Sequence, residues 1–186
     1  MKNTLLLLMI LLFNFDLFSA MPQKFSVSTI YNFSVEKNGF DNFYSEKNGF
    51  GGAVSIFYKY LTTTFEIEHH YYSKKRGLYN YDGIYFRLKI SKPFKFSEIF
   101  LISPSIAIGD NRMFLKGYKG NQARSSESEF FFDYGFDFEA RVFKDFGLSF
   151  YFIKRKVFTR INLNRSYLGL GISYYFNLSD RIKRWL

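Results

Sequence analysis

From Phe25 onward the chain alternates with a period of two. Phe25, Val27, Thr29, Tyr31, Phe33 and Val35 fall on one face of an extended segment, with Ser26, Ser28, Ile30, Asn32 and Ser34 on the other. Successive side chains of a strand point to opposite faces, so this pattern predicts a strand with one apolar and one polar side. Seven further segments repeat it. Val54, Ile56, Tyr58 and Tyr60 oppose Ala53, Ser55, Phe57 and Lys59; Phe65, Ile67, His69 and Tyr71 oppose Glu66, Glu68, His70 and Tyr72. Ile84, Phe86, Leu88 and Ile90 oppose Tyr85, Arg87 and Lys89. The stretch from Ile99 to Ile108 is less regular, because Pro104 shares a face with Phe100, Ile102, Ile106 and Ile108; proline lacks an N–H, and a bulge or a missing ladder bond is expected there. Phe130, Phe132, Tyr134, Phe136, Phe138, Ala140 and Val142 then alternate with Phe131, Asp133, Gly135, Asp137, Glu139 and Arg141. The last two segments set Phe146, Leu148, Phe150 and Phe152 against Gly147, Ser149, Tyr151 and Ile153, and Leu168, Leu170, Ile172, Tyr174 and Phe176 against Gly169, Gly171, Ser173 and Tyr175.

No helical period competes with these eight strands, so the fold is all-β. The connections between them are long at 36–52, short at 61–64, longer at 73–82, then 91–98, long at 109–129, short at 143–145 and long at 154–166. Transmembrane barrels show this asymmetry, with short periplasmic turns and longer external loops. The apolar faces decide which side is out. An eight-stranded barrel has an interior just wide enough to be filled by side chains. Long aromatic rows would overfill it, whereas the Ser, Gly, Asp and Glu rows fit. Lipid solvates the aromatic face without that steric cost, and closure leaves no unpaired strand edge in the bilayer.

The start of the chain supports export. MKNTLLLLMILLFNFDLFSA has one Lys, the apolar run Leu5 to Phe13, and small residues Ser19 and Ala20, the order of a secretory signal peptide. The apolar run is too short for a spanning helix, which needs about 20 residues. The expected organisation is a signal peptide over 1–20, a barrel over 21–176 and a basic periplasmic tail over 177–186. With no Cys, disulfide stapling is excluded. The formal charge of +10 would suit a phosphate backbone, but an exported protein meets lipid and lipopolysaccharide phosphates instead. Nucleic acid is therefore not an expected partner.

With the polar faces inward, the interior holds Lys59, Glu66, Glu68, Arg87, Lys89, Asp133, Asp137, Glu139 and Arg141. Buried charges are costly unless paired. A two-residue turn at Thr62 and Thr63 would place Lys59 across from Glu66, and a loop centred on Gly77 and Leu78 would place Glu66 across from Lys89 and Glu68 across from Arg87. The expectation is a structural network plugging the barrel; its functional counterpart is a narrow or gated ion path.

The segment FEIEHHYY collects Glu66, Glu68, His69 and His70, but the two histidines point to opposite faces of a strand and are the only two in the chain. No metal and no cofactor are expected. His69 near Ser73 touches the idea of a lipid A hydrolase, yet no nucleophile spacing singles itself out. The pentapeptide EKNGF occurs at Glu36–Phe40 and again at Glu46–Phe50; its Asn-Gly pair is a hairpin signal, so both copies are expected in the first external loop.

The closing SYLGLGISYYF, alternate apolar residues ending in Phe176, resembles the C-terminal assembly signal of bacterial outer-membrane barrels. Together with the eight strands and the signal peptide it makes the mature chain similar to the small OmpX-, opacity- and OmpA-type barrels. One departure is that NLSDRIKRWL follows where the family's Phe is usually the last residue. The resemblance implies an outer-membrane location and, for the class, adhesion, serum resistance or envelope anchoring. A non-enzymatic surface protein is the leading expectation, partnered by outer-membrane lipid, lipopolysaccharide and an extracellular ligand at the loops. The loop 154–166, with five basic residues and no acidic one, is the foremost loop candidate. A lipid A-modifying enzyme and a soluble periplasmic lipocalin-like barrel are the alternatives, and the oligomeric state is left open.

Overall fold

The computed structural model describes residues 22–35, 44–75, 80–115, 126–158 and 163–177. The expected signal peptide, the tail beyond Asn177 and the first EKNGF copy lie outside the described residues. The strands are β1 (Lys24–Ser34), β2 (Tyr44–Phe57), β3 (Thr62–Lys74), β4 (Tyr81–Ser91), β5 (Phe94–Lys95), β6 (Phe100–Leu115), β7 (Ser126–Phe143), β8 (Phe146–Val157) and β9 (Leu163–Asn177). Every pairing is antiparallel. Eight long strands follow one another around the sheet, β1 pairing with both β2 and β9, and β4 with β6. The barrel is thus closed, and β5 is only a two-residue arm folded onto β6.

The side chains divide as the period-two pattern predicts. Outward-facing Leu170, Ile172 and Phe136 are 51%, 56% and 58% exposed, while inward-facing Glu68, Arg87 and Arg155 are 0%, 2% and 1% exposed. In water this distribution would be inverted, because an apolar surface on this scale is not left open by a soluble monomer. In a bilayer it is the stable one, so the fold is a transmembrane β-barrel. The β2–β3 and β7–β8 turns lie at one end, the end that faces the periplasm in barrels of this type.

Four local expectations are corrected, and one, at Pro104, is met in part. The β2–β3 turn is Tyr58–Leu61, closed by a bond from the Tyr58 amide to the Leu61 carbonyl at 2.8 Å, and Thr62 already pairs with Phe57. Lys59 therefore sits in that turn, exposed, its ammonium 4.9 Å from the Tyr60 ring centre, and Ala53 rather than Lys59 faces Glu66. The β3–β4 register differs by two residues from the expected one: Glu66 faces Arg87, Glu68 faces Tyr85 and Thr64 faces Lys89. A shift of two keeps every side chain on its face. Pro104 causes no register break. The missing ladder bond expected there is present instead: β5 takes up the register of β4, which sets Lys92 opposite Pro104, and the Pro104 carbonyl accepts from Lys92 at 3.1 Å while the proline has no N–H to return the second bond, so the pairing is interrupted between Ser91 and Phe94. Several strands also run on past the hydrocarbon-facing segments. In particular β2 begins at Tyr44, so the second EKNGF is ladder rather than loop, with a register break between Glu46 and Gly49.

Large interior rings fit because a glycine lies beside them on the next strand. A Cβ on Gly169 of β9 would land on the ring of Tyr151 in β8. Adding a methyl elsewhere would stabilise by restricting the unfolded chain, by about 0.4–1 kcal/mol. Here overpacking outweighs that gain, at about 1–3 kcal/mol. The Gly169→Ala variant is expected to unfold at lower urea concentration in micelles; an unchanged midpoint would show that Tyr151 is free to move aside.

Candidate functional site: the interior charge cluster

Arg87, at the middle of β4, points into the barrel and meets three carboxylates. Its Nη2 bonds to Glu66 Oε2 and lies 2.9 Å from Glu68 Oε1, and its Nη1 donates to Asp133 Oδ2 at 3.0 Å. Glu66 and Glu68 come from neighbouring β3, but Asp133 comes from β7 across the interior. Lys89, one inward position nearer the periplasm, lies 3.0 Å from both Glu66 and Asp137. Glu139 and Arg141 pair with each other at 3.2 Å lower on β7. Eight of the nine residues expected inside are there; Lys59 is the exception.

The sequence pattern had not singled out the second hub, Arg155. It is bidentate to Asp133, Nε to Oδ1 and Nη2 to Oδ2 each at 2.9 Å, and its guanidinium lies 4.2, 4.5 and 5.1 Å from the ring centres of Phe131, Tyr85 and Tyr167. Such planar stacking and forked bonding are what arginine, rather than lysine, supplies. Arg155 was read as part of an external basic loop. In fact Lys154, Arg155 and Lys156 are strand residues of β8, Arg165 belongs to β9, and both arginines are buried. Only Arg160 of that basic set lies outside the described residues. A signal was present: Arg155 continues the inward series Tyr151 and Ile153, but a Lys on either side hides the alternation.

Glu68 is further held by Asn32 and His70. Asn32 Nδ2 donates to its Oε2 at 2.7 Å, and His70 Nε2 lies 2.9 Å from the same oxygen, so that nitrogen carries the proton. Tyr151 in turn donates to Asn32 Oδ1 at 2.5 Å. Toward the outer end, Arg165 Nη1 donates to the Tyr72 hydroxyl at 2.9 Å, and Tyr72 and Tyr85 hydroxyls are 2.7 Å apart. Arg87, Arg155, Arg165 and Lys89 thus balance Glu66, Glu68, Asp133 and Asp137. Charge neutrality and forked geometry make burial tolerable. The outer half of the barrel is filled by this neutral block, with Tyr72, Tyr85 and Phe131 at 0–1% exposure.

Among the described residues, neither histidine is set beside a serine hydroxyl. His70 is sealed inside, and His69 faces outward against Asp82 at 3.7 Å and the Phe50 ring at 5.6 Å. The Ser73 hydroxyl is bonded to the Ser45 carbonyl at 3.3 Å. Among the described residues no three acidic or His side chains gather as metal ligands.

Solved structures share the fold. Neisserial surface protein A aligns over 82% of this chain and 97% of its own, with a TM-score of 0.62 at 11% identity. Ail, the attachment invasion locus protein of Yersinia pestis, solved in complex with the heparin analogue sucrose octasulfate, aligns over 84% and 100%, with a TM-score of 0.56 at 16% identity. The N-terminal β-barrel domain of Pseudomonas aeruginosa OprF aligns over 84% and 99%, with a TM-score of 0.54 at 10% identity. No protein-family model and no curated protein matches the sequence. The chain has the fold of the small eight-stranded outer-membrane β-barrels.

Proposed function

We propose that this protein is a non-enzymatic integral outer-membrane barrel that works at its outer rim, by contact with anionic sugar and phosphate groups. The observation that carries this reading is the division of basic residues on β8. Arg155 turns inward and is consumed by the cluster, whereas Lys154 and Lys156 turn outward and are exposed near the outer end of the strand. Neither lysine makes an ion pair among the described residues, and Lys156 Nζ lies 5.3 Å from the Phe158 ring centre. The two lysines stand among outward aromatics, level with Tyr134 and Phe132 and with Phe130 and Phe158 just beyond, and an aromatic girdle of this kind marks the height of the lipid head groups. Lipopolysaccharide phosphates are the first such partner and a sulfated or phosphorylated external saccharide the second; the sugar sulfates bound by Ail belong to the same chemical class.

A lysine near an anionic surface is worth about 1 kcal/mol. The Lys154→Ala, Lys156→Ala double variant, held in phospholipid nanodiscs, is therefore expected to bind a sulfated polysaccharide roughly tenfold or more weakly than wild type, and both should weaken with salt. Equal binding by the two proteins would overturn the assignment.

A further inference from the structure

The half of the barrel nearest the periplasmic turns is not filled. A cavity of about 350 Å³ opens there, with Gln23, Lys24 and Tyr58 at its lip. Small-ligand pockets begin at about this size, roughly 300 Å³. Its wall is chiefly hydroxyl. Ser28, Ser55, Thr64, Ser91, Ser149 and Ser173 line it from six different strands, β1, β2, β3, β4, β8 and β9. Two cross-strand pairs are bonded, Ser28 with Ser173 at 2.8 Å and Ser55 with Thr64 at 2.9 Å.

The charges of the wall cancel. Lys24, Lys89 and Arg141 stand against Glu66, Asp137 and Glu139. Lys89 is held between Glu66 and Asp137, and Arg141 by Glu139. Lys24, which makes no ion pair among the described residues, stands apart at the lip; inside the cup a charged guest would have to compete with one of these pairs. A hydroxylated guest would not, because each serine or threonine hydroxyl both donates and accepts. The rings of Tyr151 and Tyr175 supply apolar wall for the C–H face of such a guest. Above, the neutral block around Arg87 closes the cavity from the outside.

We propose that the periplasmic half of the barrel is a cup for a small uncharged polyhydroxylated ligand of the sugar class, admitted from the periplasmic end. The chain has no native cysteine, so a single introduced thiol reports access without background. The Ser149→Cys variant, purified and refolded in nanodiscs, is to be labelled with a small methanethiosulfonate reagent in the presence of glucose, of glucose 6-phosphate, or of neither. Ready labelling, slowed severalfold by glucose and little by glucose 6-phosphate, is the expected result. Labelling that glucose leaves unchanged would leave a water-filled cavity and overturn the ligand. Equal protection by the phosphate ester would overturn the uncharged class, and failure to label a folded protein would overturn the opening. Ser28→Cys on β1, two strands round the barrel from Ser149, repeats the test should Ser149→Cys not fold, folding being read from gel mobility before and after boiling.

Discussion

Replacing Arg87 with alanine is expected to cost the folded barrel about 3–5 kcal/mol, the penalty for breaking a buried ion cluster by removing one partner. The loss falls unevenly. Asp133 keeps its fork from Arg155, Glu66 keeps Lys89, and Glu68 keeps Asn32 and His70 but loses its nearest cation, since Arg155 stands 4.0 Å away. Against a total stability of about 5–15 kcal/mol such a loss is readily seen as a lower urea midpoint in micelles. Arg87→Met, which retains much of the volume, should lose nearly as much, because charge and not packing is what the site lacks. An Arg87→Met protein as stable as wild type would contradict that. In planar bilayers the wild type is expected to be sealed and Arg87→Ala to conduct, as water from the cup reaches past the vacated centre. A sealed variant would assign the closure to the aromatic layer around Arg155 instead.

The second large effect is on the outer surface. Leu170 is 51% exposed and projects from the middle of β9. On a soluble barrel an exposed Leu→Arg change would move stability by no more than about 0.5 kcal/mol. At the midplane of a bilayer the same arginine costs about 2–4 kcal/mol. Leu170→Arg is therefore expected to fold with lower yield into lipid bilayers and to unfold at lower denaturant. Tolerance of the arginine would mean that this face does not meet hydrocarbon.

The faces of the strands were legible in the sequence because lipid outside and a narrow interior impose opposite chemistry on alternate residues. Their ends were not, and for the same reason. Alternation marks the part of a strand that lies in hydrocarbon, and the ladder continues where both faces are polar. Asp110 and Arg112 on β6 and Ser128 on β7 point outward beyond the aromatic rows, yet Asp110 pairs across the ladder with Phe130 and Arg112 with Ser128. A segment read as a loop over 109–129 is thus strand to Leu115 and again from Ser126. Register was equally silent, since a slip by two leaves the pattern intact, and the charge partners of Glu66 and Glu68 changed accordingly. The error at Lys59 came from carrying the period through Tyr58 and Tyr60, which are turn-end aromatics of the kind that gather at an interface. Of the site itself, the acidic residues and Arg87 were evident from composition on a predicted inner face, while Asn32 and Tyr151, on faces that were read correctly, gained their roles only from three-dimensional proximity to Glu68.

The most direct test of a lipid-facing barrel with a sealed polar interior is where the protein goes and how it migrates. Membrane fractionation of expressing cells, followed by electrophoresis with and without boiling, should place the chain in the outer-membrane fraction, with a mobility that changes on heating as the closed barrel opens. Release into the osmotic-shock fraction, with the same mobility boiled and unboiled, would contradict it.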